Sequence, residues 1–155
     1  LITTAARDRV VDWIGEARAA GASVATGDAV RDGILLPTVL TGVTPNMRVF
    51  NDEVFGPAIG LTAFDTIDEA IDLANATRYG LQAGIFTGRV DRAIGWAERL
   101  DFGAVLINET PTFRADQMPY GGIKDSGNTR EGPAEAVRSM TESRLIVINV
   151  PKDGA

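Results

Sequence analysis

Between residues 58 and 107, short apolar runs alternate with amphipathic segments, and this alternation limits the fold more than any other feature. Residues 58–64, 81–86 and 104–107 are apolar and short, and they read as strands. Between them, Ile67, Ala70, Ile71 and Ala74 recur at helical spacing, and so do Val90, Ala93, Ile94 and Ala97. Thr66-Ile67-Asp68-Glu69 has the form of a capping box, with Thr66 capping a helix that runs to about Ala76 and Glu69 reaching back. Strand, helix, strand, helix, strand predicts an α/β fold: a parallel sheet with crossover helices. Right-handed crossovers should lay the strands side by side. Binding residues in such sheets sit at the carboxyl ends of strands, where Asn108 falls.

The flanking segments are less regular. Residues 5–20 predict a helix through Val10, Ile14 and Ala17, widened by Trp13 and ended by Gly21. A short strand at 22–26 and a polar loop at 27–33 follow. Residues 34–43 are strand-like, with Pro37 marking an edge or a break. Residues 109–128 form a loop longer than most connections in a compact domain, which favours a functional role or partial disorder. A short helix is expected at 134–139, then a C-terminal extra strand at 144–150 and a frayed end at 151–155. Leu145, Val147 and Asn149 would share one face of that strand, and Ile146, Ile148 and Val150 the other. A lone strand of this kind leaves its backbone groups unpaired and invites a partner.

Composition removes several function classes. With 155 residues the chain is the size of one domain. Asp and Glu number 21 against 15 Lys and Arg, for a net charge of -6, which speaks against nucleic-acid binding. No apolar run reaches the ~18 residues of a membrane span. Neither a signal peptide nor a membrane partner is expected, so the expected location is cytoplasmic. Cys and His are both absent, which excludes disulfides, Cys/His metal sites and any Cys–His or Ser–His–Asp nucleophile in this chain. No metal site is expected. A first residue of Leu1 rather than methionine reads as a processed or truncated piece.

Function concentrates in Asn51-Asp52-Glu53-Val54-Phe55-Gly56-Pro57-Ala58. In extended backbone, residues two apart point the same way, so Glu53 and Phe55 would present a carboxylate and an aromatic face together. A carboxylate can accept from both hydroxyls of a ribose, and an aromatic can pack beside the sugar or a heterocycle. The alternative is a turn in which Glu53 meets a surface cation and Phe55 plugs the core.

This string resembles the Glu-x-Phe-Gly-Pro motif of NAD(P)-dependent aldehyde dehydrogenases. So do Leu36-Pro37-Thr38-Val39-Leu40, Asn75-Ala76-Thr77-Arg78-Tyr79-Gly80-Leu81, Phe86-Thr87, Asn108 and Pro119-Tyr120-Gly121-Gly122-Ile123-Lys124-Asp125-Ser126-Gly127, in family order and spacing. The whole chain looks like the C-terminal third of such an enzyme. The resemblance implies half of a catalytic domain at 1–140 and an oligomerisation strand and tail at 141–155. It implies oxidation of a small aldehyde to a carboxylate with NAD or NADP, in a homo-oligomer, a dimer or a tetramer. It also implies that the nucleophilic cysteine, the glutamate base and the Rossmann-like domain belong upstream, so that no catalytic residue lies here and the chain alone is inactive. Glu53 would hold the nicotinamide ribose with Phe55 beside it.

Tyr120 would line the aldehyde pocket, or else anchor the glycine turn. Phe113 and Arg114 fall where relatives place substrate-contacting residues. A guanidinium there can grip an anionic aldehyde with parallel bonds, or else pair locally with Asp116. Lys124 reads as a solvated or backbone-bonding cation. Arg130-Glu131 matches a Gly-x-Gly-Arg-Glu run whose second glycine is Thr129 here, which puts the loop shape in doubt; the pair reads first as an ion pair, second as part of a proton path. The reading from another class is a non-catalytic assembly module working through its sheet edges.

Overall fold

In the computed structural model, residues 1–149 are described. Helix α1, Thr4–Ala19, begins where the Thr3 side chain accepts from the Ala6 amide. It buries Val10, Trp13, Ile14 and Ala17, the stripe its spacing predicts. Gly21 follows with φ 106, a left-handed backbone that glycine adopts freely. Strand β1, Ser23–Thr26, follows.

Residues 27–33 are not a plain loop. Strands β2, Val30–Arg31, and β3, Ile34–Leu35, pair as a hairpin around Asp32 and Gly33, both at positive φ (50 and 79). Asp-Gly is the dipeptide such a turn favours, because both central residues must be left-handed. The break at Leu36-Pro37 then separates β3 from β4, Thr38–Thr41, as Pro37 implies. The Thr38 hydroxyl, 1% exposed, donates to the Leu36 carbonyl and accepts from the Asp28 amide, so its burial leaves nothing unpaired. Strand β4 pairs antiparallel with β1 and parallel with β5, Ala58–Leu61. The four-residue helix α2, Arg48–Asn51, lies between them in sequence. Val10, Ile14, Leu35, Leu40, Val43 and Met47 close this core.

The second half is built on its own frame. Helix α3, Ile67–Asn75, is capped by Thr66, which accepts from the Glu69 amide. The Glu69 carboxylate reaches back past the cap and accepts from the amide of Asp65, the residue before it. Strand β6, Tyr79–Gly80, is followed by β7, Gln82–Ile85, helix α4, Val90–Ala97, and β8, Ala104–Ile107. Strands β7 and β8 pair in parallel across α4, from Gln82 opposite Ala104 to Ile85 opposite Ile107.

The α/β class holds, but the expected row of adjacent parallel strands is split. Strands β5 and β7 do not pair; each is an edge of its own sheet. The crossover rule fixes the hand of a connection, and consecutive strands end up adjacent only about two-thirds of the time. Residues 109–128 also hold more order than expected. Strand β9, Ile123–Lys124, pairs antiparallel with β6. Beyond that range, helix α5, Pro133–Ser139, forms where the short helix is expected, after Gly132 at φ 129.

Residues 144–149 join no sheet among the described residues, so the expected strand is not formed over them. Leu145, Ile146, Val147 and Ile148 are exposed. A strand needs a neighbour for its backbone groups, and among the described residues no element supplies one there. The expectations for Val150 and for the end at 151–155 lie outside the described residues.

Candidate functional site

The loop after α2 alternates as its sequence suggests. Asp52 and Val54 are half-buried, while Glu53 and Phe55 are exposed. Val54 packs against the core, and Arg9 Nη2 donates to its carbonyl at 2.7 Å. Gly56 lies directly on Val10; a Cβ there would stand 2.7 Å from Val10 Cγ2. Pro57 then accepts from the Thr38 amide at 2.8 Å, which ties the loop to β4. Phe55 departs from simple extension. Its φ is 45, a left-handed value unusual for an aromatic, and its ring is 72% exposed. So Phe55 is no core plug. Among the described residues no ion pair engages the Glu53 carboxylate, while its neighbour Asp52 faces Arg48 and Arg78.

A second assembly forms around residues 113–132. Arg114 Nη2 meets Glu131 Oε2 at 3.0 Å, and its guanidinium lies 4.5 Å from the centroid of the Tyr120 ring. Tyr120 and Glu131 also exchange both backbone hydrogen bonds. Arg114 therefore pairs with Glu131, seventeen positions on, and not with Asp116. Arg130 and Glu131 do not pair with each other either. Their side chains leave the strap on different errands, Arg130 donating to the Gly122 and Thr129 carbonyls. Gly121 is required here, since a Cβ would sit 2.0 Å from the Thr129 carbonyl oxygen. The substitution of threonine at 129 costs the loop nothing in backbone shape, because the positive φ values fall on Gly127 and Gly132. Phe113 is half-exposed in the turn closed by its amide on the Thr110 carbonyl.

Residues 119–127 are docked on the segment after α3. Lys124, at φ 54, sends Nζ to the carbonyls of Asn75 and Thr77, so it is a backbone-bonding cation at a helix C-terminus. The Asp125 amide donates to the Arg78 carbonyl, and Ser126 Oγ accepts from the Gly80 amide. Asn108, at φ 57, accepts from the Thr87 amide and so ties the carboxyl ends of β7 and β8 together. Arg78 Nη2 donates to the Tyr79 hydroxyl at 2.7 Å; this bond, with Asp125 and Asp52 nearby, raises the arginine pKa above its ordinary value.

The sequence-predicted residues thus fall into two groups, Glu53 with Phe55 and Arg114 with Tyr120. No hydrogen bond or ion pair joins the groups directly among the described residues. Sequence reasoning missed Glu131 as the partner of Arg114 and Arg78 as the residue between the two loops. The apolar hollow lined by Phe64, Ile67, Ile71, Phe86, Trp96 and Leu100 is elsewhere. Among the described residues no acidic cluster could hold a metal ion, and no helix is long and apolar enough to cross a membrane.

Residues 1–146 match the model of the Aldehyde dehydrogenase family. The chain belongs to the aldehyde dehydrogenase family. The 3-sulfolactaldehyde dehydrogenase of Priestia aryabhattai is 43% identical over 143 residues, 92% of this chain and 30% of that enzyme. The aldehyde dehydrogenase 21 of Physcomitrella patens, crystallised with its product succinate, superimposes with a TM-score of 0.90 at 36% identity. That match covers 96% of this chain and 31% of the other. The glyceraldehyde-3-phosphate dehydrogenase of Methanocaldococcus jannaschii, complexed with NADP, gives 0.84 at 35% identity, over 90% and 30%. This aldehyde dehydrogenase chain therefore spans about a third of the length of the relatives it matches.

Proposed function

We propose that the chain forms the C-terminal part of an NAD(P)-dependent enzyme that oxidises a small anionic aldehyde to a carboxylate. The observation that carries this reading is the family match over residues 1–146. The free carboxylate of Glu53, standing beside an exposed aromatic, agrees with it. In this reading Glu53 accepts from the hydroxyls of the nicotinamide ribose, and Phe55 packs beside it. Val54, half-buried against the core between them, leaves both on the exposed side. The cofactor is NAD or NADP, and it supplies the hydride acceptor.

Tyr120, Phe113 and Arg114 form the aldehyde side of the site. Arg114 spends one guanidinium nitrogen on Glu131 and keeps further donors for a substrate anion. Relatives named for a sulfonated and a phosphorylated aldehyde, and one holding succinate, support an anionic substrate. No thiol occurs in this chain, so the thioester chemistry of the reaction needs a cysteine from elsewhere in the enzyme. By itself the chain should not reduce cofactor with any aldehyde.

Residues 1–140 serve the catalytic domain and 141–155 the assembly of a homo-oligomer, through pairing of the exposed apolar segment 144–149. The opposing reading, an assembly module without catalytic role, predicts that Glu53 can be changed freely. In the intact enzyme, Glu53→Gln should slow single-turnover hydride transfer by roughly 10–100-fold, the worth of one charge-assisted hydrogen bond at ~1.5–3 kcal/mol. An unchanged rate makes Glu53 structural and removes the cofactor assignment.

A further inference from the structure

We infer that Arg78 is a positioning residue that holds the Glu53 loop in register with the Tyr120 segment. Its guanidinium lies between two carboxylates, with Nη2 3.7 Å from Asp52 Oδ1 and Nε 3.7 Å from Asp125 Oδ2. Asp52 immediately precedes Glu53. Asp125 follows Tyr120 within the strap that docks on β6. The backbone of residue 78 grips the same aspartate, since its carbonyl accepts from the Asp125 amide at 3.0 Å.

The bridge acts at a seam. Among the described residues, no other hydrogen bond or ion pair links residues 1–64 with residues 66–149, and no strand pairing crosses it. Each loop is firmly built into its own side. Asp52 donates its amide to the Arg48 carbonyl, and Gly56 rests on Val10. On the other side Ser126 and Lys124 staple the strap to residues 75–80. The internal geometry of each loop is therefore settled without Arg78, and what Arg78 adds is their mutual placement. Exposed ion pairs are weak, at ~0.2–1 kcal/mol each. A weak contact still orients two bodies where no other polar link joins them among the described residues. The consequence for catalysis rests on the reading of Glu53 and Tyr120 given above. Misplacing a cofactor against its substrate by ~1 Å can cost ~100-fold in rate.

The absence of cysteine permits a clean test on the chain itself. Asp12→Cys and Glu98→Cys place a spin label on each side of the seam, both at exposed positions. Pulsed electron resonance should give a narrow distance distribution. Arg78→Ala should broaden it about twofold, and Arg78→Lys should fall between, because an ammonium lacks the planar fork that reaches both carboxylates. Asp52→Asn cuts the same link from the other side and should broaden it likewise, should Arg78→Ala unfold the chain. Salt at about 1 M, which screens beyond ~3 Å, should broaden the unsubstituted chain and leave Arg78→Ala unchanged. Equal widths in all variants overturn the bridge. In the intact enzyme, Arg78→Ala should raise the cofactor KM and slow hydride transfer by about tenfold, with partial rescue by Arg78→Lys. Glu53→Gln is the control: if it too is silent, the cofactor reading has failed and the distance widths alone judge the bridge. If Glu53→Gln is costly and Arg78→Ala is silent, the bridge has no role in catalysis.

Discussion

In the proposed function, Arg114 is the side chain on which substrate choice turns. Its guanidinium is stacked on Tyr120 and steadied by Glu131, so its direction is preset before a ligand arrives. Arg114→Ala in the intact enzyme should lower kcat/KM for a carboxylate-, sulfonate- or phosphate-bearing aldehyde by roughly 10–100-fold. A neutral aldehyde of the same length should lose little. Equal losses on both would mean that Arg114 serves only to hold the strap. The residue itself could be picked out from its loop, but its partner could not. Glu131 is seventeen positions away, and only the exchange of backbone bonds between Tyr120 and Glu131 brings the two side chains together.

Among the elements, α3 and α4 begin in different ways. Thr66 caps α3 through its side chain, and Thr66→Ala should lower stability by ~1 kcal/mol in a urea melt. A loss near zero would show that the Asp65–Glu69 bond suffices. Helix α4 has no side-chain cap on its first turn. Instead Arg89 donates to both carboxylate oxygens of Asp91, at 2.9 and 2.8 Å, and this holds the Asp91 pKa below the usual 3.8. A depressed folded pKa contributes stability above the unfolded value and loses it as pH falls through the folded one. Helix content followed from pH 5 downward should therefore decline with a small Asp91 component that Asp91→Asn abolishes. Both residues are fully exposed to solvent, so the component is small.

Over the whole molecule, apolar surface left uncovered is the dominant feature. Leu145, Ile146, Val147 and Ile148 are 73–87% exposed, and Ile59 on the free edge of β5 is 62% exposed. Apolar residues on unpaired backbone favour association. Deleting residues 144–155 should reduce self-association of the chain in light scattering while far-UV circular dichroism keeps the signal of α1, α3 and α4. A monomeric full chain whose core unfolds on deletion would refute the assembly role.

Short-range chemistry was readable without a structure. The periodicity of α1, α3 and α4, the Thr66 cap, the break at Pro37 and the outward pair Glu53 and Phe55 all depend on residues within a turn or two of each other. The Asp32-Gly33 hairpin is equally local, but strands of two residues are too short to show a periodic pattern. What tertiary structure decided is everything that joins distant segments. Sequence limits a crossover to one hand, but it does not choose which edge receives the next strand, and here β5 and β7 stay apart. Side-chain partners are chosen the same way. A charged side chain has many possible partners along the chain, and the fold selects Glu131 for Arg114, the Gly122 carbonyl for Arg130, and Asp52 with Asp125 for Arg78. Local order follows from neighbouring residues, whereas pairing follows from which surfaces the packed core leaves facing one another.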